Sequence, residues 1–249
     1  MAAPIGSSAK PARMPRSTGR RWFTGGRWQR RLSKASYSME TLETRIARAL
    51  LEINAVGFTP DKPIIFKSGI ISPVYVDNRS LPYYPSQWRN VIEGFQSLVH
   101  RLQLHFDVIA GVAVGGVPHS AALGYALERP SVFVRKEAKD HGKQKRIEGG
   151  DVQGRRVLLI EDLVTTGGSS LDGVAALREE GAIVEHTLAI VSYGFPETLT
   201  AFAAAGVQLH TLTHFQAILE QAQQLGKLNL SQVAVILDWL KDPHNWKQP

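Results

Sequence analysis

Arg156-Val157-Leu158-Leu159-Ile160-Glu161-Asp162-Leu163-Val164-Thr165-Thr166-Gly167-Gly168-Ser169-Ser170 is the stretch on which the reading of the fold turns. The apolar run Val157 to Ile160 is too short for a helix and suits a strand buried on both faces. Glu161 and Asp162 follow, where this reading ends the strand, and a small, hydroxyl-rich and glycine-rich turn runs from Thr165 to Ser169. Ser169 or Ser170 is placed to cap the next helix, on which Val174 and Leu177 have helical spacing. Strand, loop and helix N-terminus make an anion site, because free N–H groups and the positive end of the helix dipole converge on one spot. Glycine lets a phosphate approach the backbone closely. Carboxylates beside such a cradle repel the anion unless they bind another part of the same ligand. Vicinal ribose hydroxyls, held directly or through Mg²⁺, meet that need. The stretch therefore predicts a ribose 5-phosphate site. It is not a Walker loop, since no Gly-Lys-Ser/Thr follows, and it lacks the GxGxxG spacing of a dinucleotide fingerprint. The competing reading is a purely structural strand-turn-helix.

The chain has 249 residues, 43% hydrophobic and 20% charged, the composition of a globular protein of one large or two small domains. No run approaches the roughly 18 apolar residues of a membrane span, and no membrane association is expected. The absence of cysteine excludes disulfides, thiolate metal sites and a cysteine nucleophile, and suits a reducing, cytoplasmic setting. The formal net charge of +7 is uneven: residues 1–39 carry nine of the 29 basic residues and no acid. The remainder holds 20 basic against 22 acidic residues, a net of −2, so the folded part is not expected to bind nucleic acid. Residues 1–38, rich in Arg, Ser, Gly and Pro without apolar period, read as a disordered basic tail ahead of a single domain, 39–249. The tail reads as an organellar targeting segment, as a nucleic-acid or membrane-surface arm, or as an artefact of start-site choice with Met39 the real start; the position of Met39, just before the first ordered pattern, favours the last.

Leu42, Ile46, Leu50 and Ile53 recur at helical spacing, so 40–55 is expected to be an amphipathic helix ended by Gly57 and Pro60. Ile64–Phe66 and Val74–Val76 read as strands around a Lys67-Ser68-Gly69 turn, and 86–103 as a helix. Strands at 108–113, 132–134, 157–160, 183–191 and 207–212 then alternate with helices at 118–128, after the central strand, 197–205 and 214–225, with a polar stretch at 136–154. A last helix, 231–240, is expected to start at a Ser231 cap. Such alternation predicts an α/β fold, a mostly parallel central sheet with helices on both faces and ligands beyond the carboxyl ends of the strands. The loops 114–118, 135–150 and 161–169 leave those ends.

Two further segments carry chemistry. Arg135-Lys136-Glu137-Ala138-Lys139-Asp140-His141-Gly142-Lys143-Gln144-Lys145-Arg146 is, by itself, a solvated charge run; its place before the central strand and its flanking glycines suit a mobile lid over an anion. Phe66-Lys67-Ser68-Gly69-Ile70-Ile71-Ser72-Pro73-Val74-Tyr75-Val76-Asp77 is, by itself, a plain hairpin. The acid-acid-loop stretch resembles the phosphoribosyl pyrophosphate signature of type I phosphoribosyltransferases. Taken with the Lys-Ser-Gly-x-x-Ser-Pro turn and the Arg-Lys-x-x-Lys-x-His-Gly lid, in this order, the chain is similar over roughly residues 40–225 to one family within them, orotate phosphoribosyltransferase.

The resemblance implies a type I phosphoribosyltransferase fold with an N-terminal hood and a mobile lid loop. It implies transfer of ribose 5-phosphate from phosphoribosyl pyrophosphate to orotate with Mg²⁺. The sugar donor would be bound by Arg135, Lys136, Lys139, His141, Glu161, Asp162, Leu163, Val164, Thr165, Thr166, Gly167, Gly168 and Ser169. Of these, Lys139, His141, Glu161 and Asp162 would act in catalysis, and Mg²⁺ would arrive on the donor, near Glu161 and Asp162, without a dedicated protein site. Lys67, Tyr75, Val76 and Thr165 would meet orotate. It also implies a homodimer whose lid acts on the neighbouring subunit. Two departures stand out. The loop Gly111–Pro118 has no lysine where many members carry one, and Val191-Ser192-Tyr193-Gly194-Phe195-Pro196 has no arginine where many members bind the orotate carboxylate. Either another cation reads that carboxylate, with Arg79 the candidate, or the base is not orotate. A regulator that binds phosphoribosyl pyrophosphate without catalysis is the reading from another class.

Overall fold

Within the computed structural model, the described residues are 40–66, 69–137 and 145–248. The reading of 1–38 as a tail falls outside them, and the described residues belong to one compact unit, Met39–Pro249. Helix α1 (Leu42–Glu52) starts where Thr41 Oγ1 accepts the Thr44 N–H at 3.2 Å. Short strands β1 (Val56–Phe58), β2 (Ile64–Ile65), β3 (Ile71–Ser72) and β4 (Val74–Val76) follow, then a 3-10 helix, Asn78–Tyr83. β1 pairs antiparallel with β4 and β2 with β3, forming the hood. The sequence reading missed β1, β3 and the 3-10 helix, because two or three residues are too few to display a period.

The remaining elements are α2 (Pro85–Arg101), β5 (Val108–Val112), α3 (Gly116–Leu127), β6 (Ser131–Val134), β7 (Ile147–Glu148), β8 (Arg156–Val164), α4 (Gly168–Glu179), β9 (Ile183–Ser192), α5 (Pro196–Ala204), β10 (Gln208–His214), α6 (Phe215–Gln224) and α7 (Leu230–Lys241). Six strands form one sheet in the order β10-β9-β8-β5-β6-β7, parallel except for β7 against β6. β7 lies inside the stretch expected to be wholly polar: Ile147 pairs with Val134 and is buried, so the charged run leaves and returns on a two-stranded stem.

Side-chain alternation along β8 builds two cores. Leu158 and Ile160 pack with Leu50 of α1, Phe95 of α2, Leu123 of α3, Ile218 of α6 and Trp239 of α7. Val157 and Leu159 pack with Val174 and Leu177 of α4 and Phe202 of α5. Both faces are covered, as expected of a parallel sheet. Trp239 also ties α7 to the hood: its Nε1 donates to the Ile71 carbonyl at 2.8 Å, and its ring meets Phe66 and Tyr193 edge-on. Asn229, not Ser231, caps α7. Asn229 Oδ1 accepts the Gln232 N–H at 2.9 Å while Gln232 Oε1 accepts the Asn229 N–H at 3.1 Å, a reciprocal box that Ser231, two residues inside, cannot make. No helix among the described residues is long and apolar enough to cross a membrane.

Candidate active site

The strand order reverses at β5. The chain goes from β5 outward to β6 and β7, then crosses back to β8 on the other side of β5. The carboxyl ends of β5 and β8 therefore flank the crevice where an open parallel sheet binds its ligands. Three loops open there: Ala113–Gly115 after β5, Arg135 onward after β6, and Thr165–Gly167 after β8.

The acids are not beyond the central strand but within it. β8 continues to Val164, with Glu161 in register with Ala189 and Leu163 with Val191, because β9 is long enough to pair with the whole of it. Strand alternation continues through the acids. Glu161 leaves toward α4, where Ser170 Oγ donates to its Oε2 at 3.0 Å. Asp162 leaves on the other face and lies over Gly115, at the start of α3, where any Cβ would overlap its carboxylate. Asn78 Nδ2 donates to the Asp162 carbonyl at 2.6 Å, tying the 3-10 helix of the hood to β8. Burial holds the Glu161 carboxyl well above the usual carboxylate range, and the Asp162 charge adds to it, while the Ser170 hydrogen bond opposes. Burial raises Asp162 too, opposed first by its hydrogen bond with Glu161. Among the described residues the Arg79 charge also opposes the rise at Asp162, as the smallest of its causes.

The expected Ser169 or Ser170 cap is not made. Gly167 occupies the cap position with φ +84°, no side chain caps α4, and Ser170 is spent on Glu161. Gly167 must be glycine twice over: its φ is left-handed, and a Cβ would come within 2.9 Å of Phe202. The loop is pinned by Thr198 Oγ1, which donates to the Thr165 carbonyl at 2.7 Å. Without a capping side chain, the first N–H groups of α4 are left for a ligand, and Gly168 and Ser169 are exposed. Thr165 and Thr166 are half-buried in the loop. Leu163 and Val164 point their side chains into the two cores, so they offer only main chain.

Arg135 and Lys136 line a cavity of about 230 Å³ together with Arg146, Asp172, Gly168 and Ser169. Lys139 and His141 of the lid, and Lys67 of the hood, lie outside the described residues. On the hood, Tyr75 is 42% exposed. Its hydroxyl donates to Asp77 Oδ2 at 3.1 Å, and Arg79 bonds the same carboxylate through Nε at 2.6 Å and Nη2 at 2.8 Å. The Arg79 guanidinium holds the Asp77 carboxyl below its ordinary range. Val76, next along β4, is buried in the core, so its side chain is not available to a base. A larger groove, about 560 Å³, lies at the opposite end of the sheet around Leu104, Phe106, Arg129 and Arg156, away from the acids and the phosphate loop.

A phosphoribosyl transferase domain model matches residues 86–192. The orotate phosphoribosyltransferase of Coxiella burnetii is 41% identical over 204 residues, covering 82% of this chain and 98% of that protein. The chain belongs to the orotate phosphoribosyltransferase family. The crystal structure of orotate phosphoribosyltransferase from Aeropyrum pernix superposes with a TM-score of 0.63 at 28% identity, covering 74% of this chain and 99% of that one. That of Mycobacterium tuberculosis in complex with 5-phospho-α-D-ribosyl 1-diphosphate gives a TM-score of 0.56 at 25% identity, covering 70% and 98%. The stretch after β9 is where the resemblance leads one to expect an arginine. Tyr193 stands there, 6% exposed, inside a cluster with Phe66, Phe195, Phe215 and Trp239, and its hydroxyl has no partner among the described residues. A guanidinium in that cluster would lose its water, a cost that only a buried counter-charge could offset. Sequence reasoning missed Asn78, Gly115 and Asp172, which act through partners distant in the chain or through the absence of a side chain, and it gave Ser170 a capping role in place of its bond to Glu161.

Proposed function

We propose that the protein transfers the ribose 5-phosphate of phosphoribosyl pyrophosphate to orotate, giving orotidine 5′-monophosphate and pyrophosphate in pyrimidine nucleotide synthesis. One observation carries the reading: an acid pair on β8, buried Glu161 and half-buried Asp162, leads directly into an uncapped helix N-terminus whose Gly167 admits no side chain. Membership of the orotate phosphoribosyltransferase family supports the base.

In the reaction the bond from the anomeric carbon to a pyrophosphate oxygen breaks, that carbon bonds to a ring nitrogen of orotate, and the proton of that nitrogen passes to the pyrophosphate or to water. Positive charge grows on the sugar and negative charge on the leaving group. Glu161 and Asp162 would hold the ribose hydroxyls and stabilise the cationic sugar, an electrostatic contribution strengthened by their burial. The N–H groups of Thr166 to Ser169 would hold the 5-phosphate. Arg135, Lys136, Lys139 and His141 would receive the pyrophosphate. Among the described residues, no group of three or more His, Asp or Glu side chains is arranged to hold a metal. Two carboxylates suit Mg²⁺, which binds through one or two protein carboxylates plus substrate phosphates; bound there, it would neutralise the leaving group. Lys67 and Tyr75 would face the base, with Thr165 beneath it. The carboxylate of orotate would be read by Arg79, whose Nη1 makes no hydrogen bond among the described residues. We take 39–249 as the catalytic unit, working in the cytoplasm as a homodimer whose lid serves the neighbouring site, with 1–38 a separate basic tail.

The test offers purified protein Mg²⁺, phosphoribosyl pyrophosphate and, in parallel, orotate, uracil, hypoxanthine and adenine, and follows pyrophosphate release. Release with orotate alone is expected, and Arg79→Ala is expected to raise the Michaelis constant for orotate. The Tyr193 cluster favours one second reading, a different base, which release with another base would establish. Donor binding without release from any base would make the protein a regulator.

A further inference from the structure

Arg146 closes the stem of the lid. Its carbonyl accepts the Arg135 N–H at 2.8 Å, and its own Nε donates to the Arg135 carbonyl at 2.9 Å. The two terminal nitrogens then reach across the cavity to Asp172 on α4, with Nη1 3.1 Å from Oδ1 and Nη2 against Oδ2. The pair is uneven. The Arg146 side chain is 20% exposed, whereas Asp172 is 54% exposed. The carboxylate can return to water at little cost, since an exposed ion pair is worth little. The guanidinium, once released, still faces the cavity that Gly168 and Ser169 line from the other side, and Nε keeps it there. Lys145, by contrast, points away from this cavity's lining and pairs with Glu180 at 2.6 Å.

We propose that Arg146 is a phosphate-binding residue preset by Asp172: on binding of the sugar donor its guanidinium exchanges the Asp172 carboxylate for phosphate oxygens. The exchange matches one planar fork to one tetrahedral dianion, the geometry in which arginine outperforms lysine. The ligand chemistry is a phosphate group, supplied either by the 5-phosphate at the α4 N-terminus or by pyrophosphate beside Arg135 and Lys136. The inference rests on the reading of the site as one for phosphoribosyl pyrophosphate.

Calorimetric titration with ribose 5-phosphate and, separately, with Mg²⁺-pyrophosphate tests it, using the full chain and the variants Asp172→Asn, Arg146→Ala and Arg146→Ala with Asp172→Asn. Removing the competing carboxylate is expected to tighten one of the two ligands by about threefold. Arg146→Ala is expected to weaken the same ligand by about tenfold, and Asp172→Asn is expected to have no further effect in that background. The ligand that responds assigns the subsite. If Asp172→Asn weakens both ligands or changes neither, Arg146–Asp172 is only a structural pin and the proposal falls. If the unaltered protein binds neither ligand, the donor reading itself falls, and this inference with it.

Discussion

A Cβ on Gly115 would overlap the Asp162 carboxylate, although the backbone there, φ −63° and ψ −41°, suits any residue. The missing side chain is therefore a space reserved for a functional group rather than a turn requirement. Gly115→Ala should displace the carboxylate while leaving α3 intact. A misplacement of about 1 Å near the reacting atoms costs about a hundredfold, so kcat/KM should fall by about that factor with an unchanged circular dichroism spectrum. Retained activity would mean that Asp162 has another productive position. Gly115 was visible in the sequence only as part of the 114–118 loop that leaves the end of a strand. Nothing local announces that its neighbour in space stands 47 residues onward.

At the scale of elements, the long strands were legible and the short ones were not. β8 and β9 hold the apolar runs Val157–Ile160 and Leu188–Val191, which are buried on both faces, and the alternation with helices identifies their parallel pairing. The end of β8 was misjudged because Glu161 and Asp162 look like a terminus; pairing with β9 carries the strand through them, a tertiary effect that overrides local polarity. The hood depends on contacts the sequence does not advertise. Asn78 reaches a carbonyl 84 residues away, and Asp77 and Arg79 organise Tyr75 around it. Asn78→Ala should loosen the hood against β8 and misplace base relative to ribose. The loss of one buried hydrogen bond, about 1.4 kcal/mol, predicts about a tenfold lower kcat/KM for both substrates. A lower melting temperature with unchanged kinetics would show that the tie is merely structural.

The whole molecule carries an acid-sensitive point remote from charged motifs. His119 of α3 is fully buried; Trp88 Nε1 donates to its Nδ1 at 3.0 Å, which puts the neutral ring's proton on Nε2, where no partner exists among the described residues. Burial lowers its pKa from 6.5 to about 4. The unfolded chain then binds more protons than the folded one between those values, so stability is fully present above about 6.5 and is lost as pH falls toward about 4. Between pH of about 7.5 and about 5 the loss is about 2 kcal/mol. Glu161, raised by burial, has the opposite sign, so the comparison needed is urea unfolding of His119→Gln beside the unaltered protein. The variant should lack this part of the acid-side decline; identical slopes would refute it. The bond from Trp239 to the Ile71 carbonyl has a consequence for synthesis on the ribosome. The nascent chain exposes the hood, the acids and the phosphate loop before α7 emerges. The tie between the hood and α7 is therefore among the last to form, and until then the Ile71 carbonyl has only water to bond.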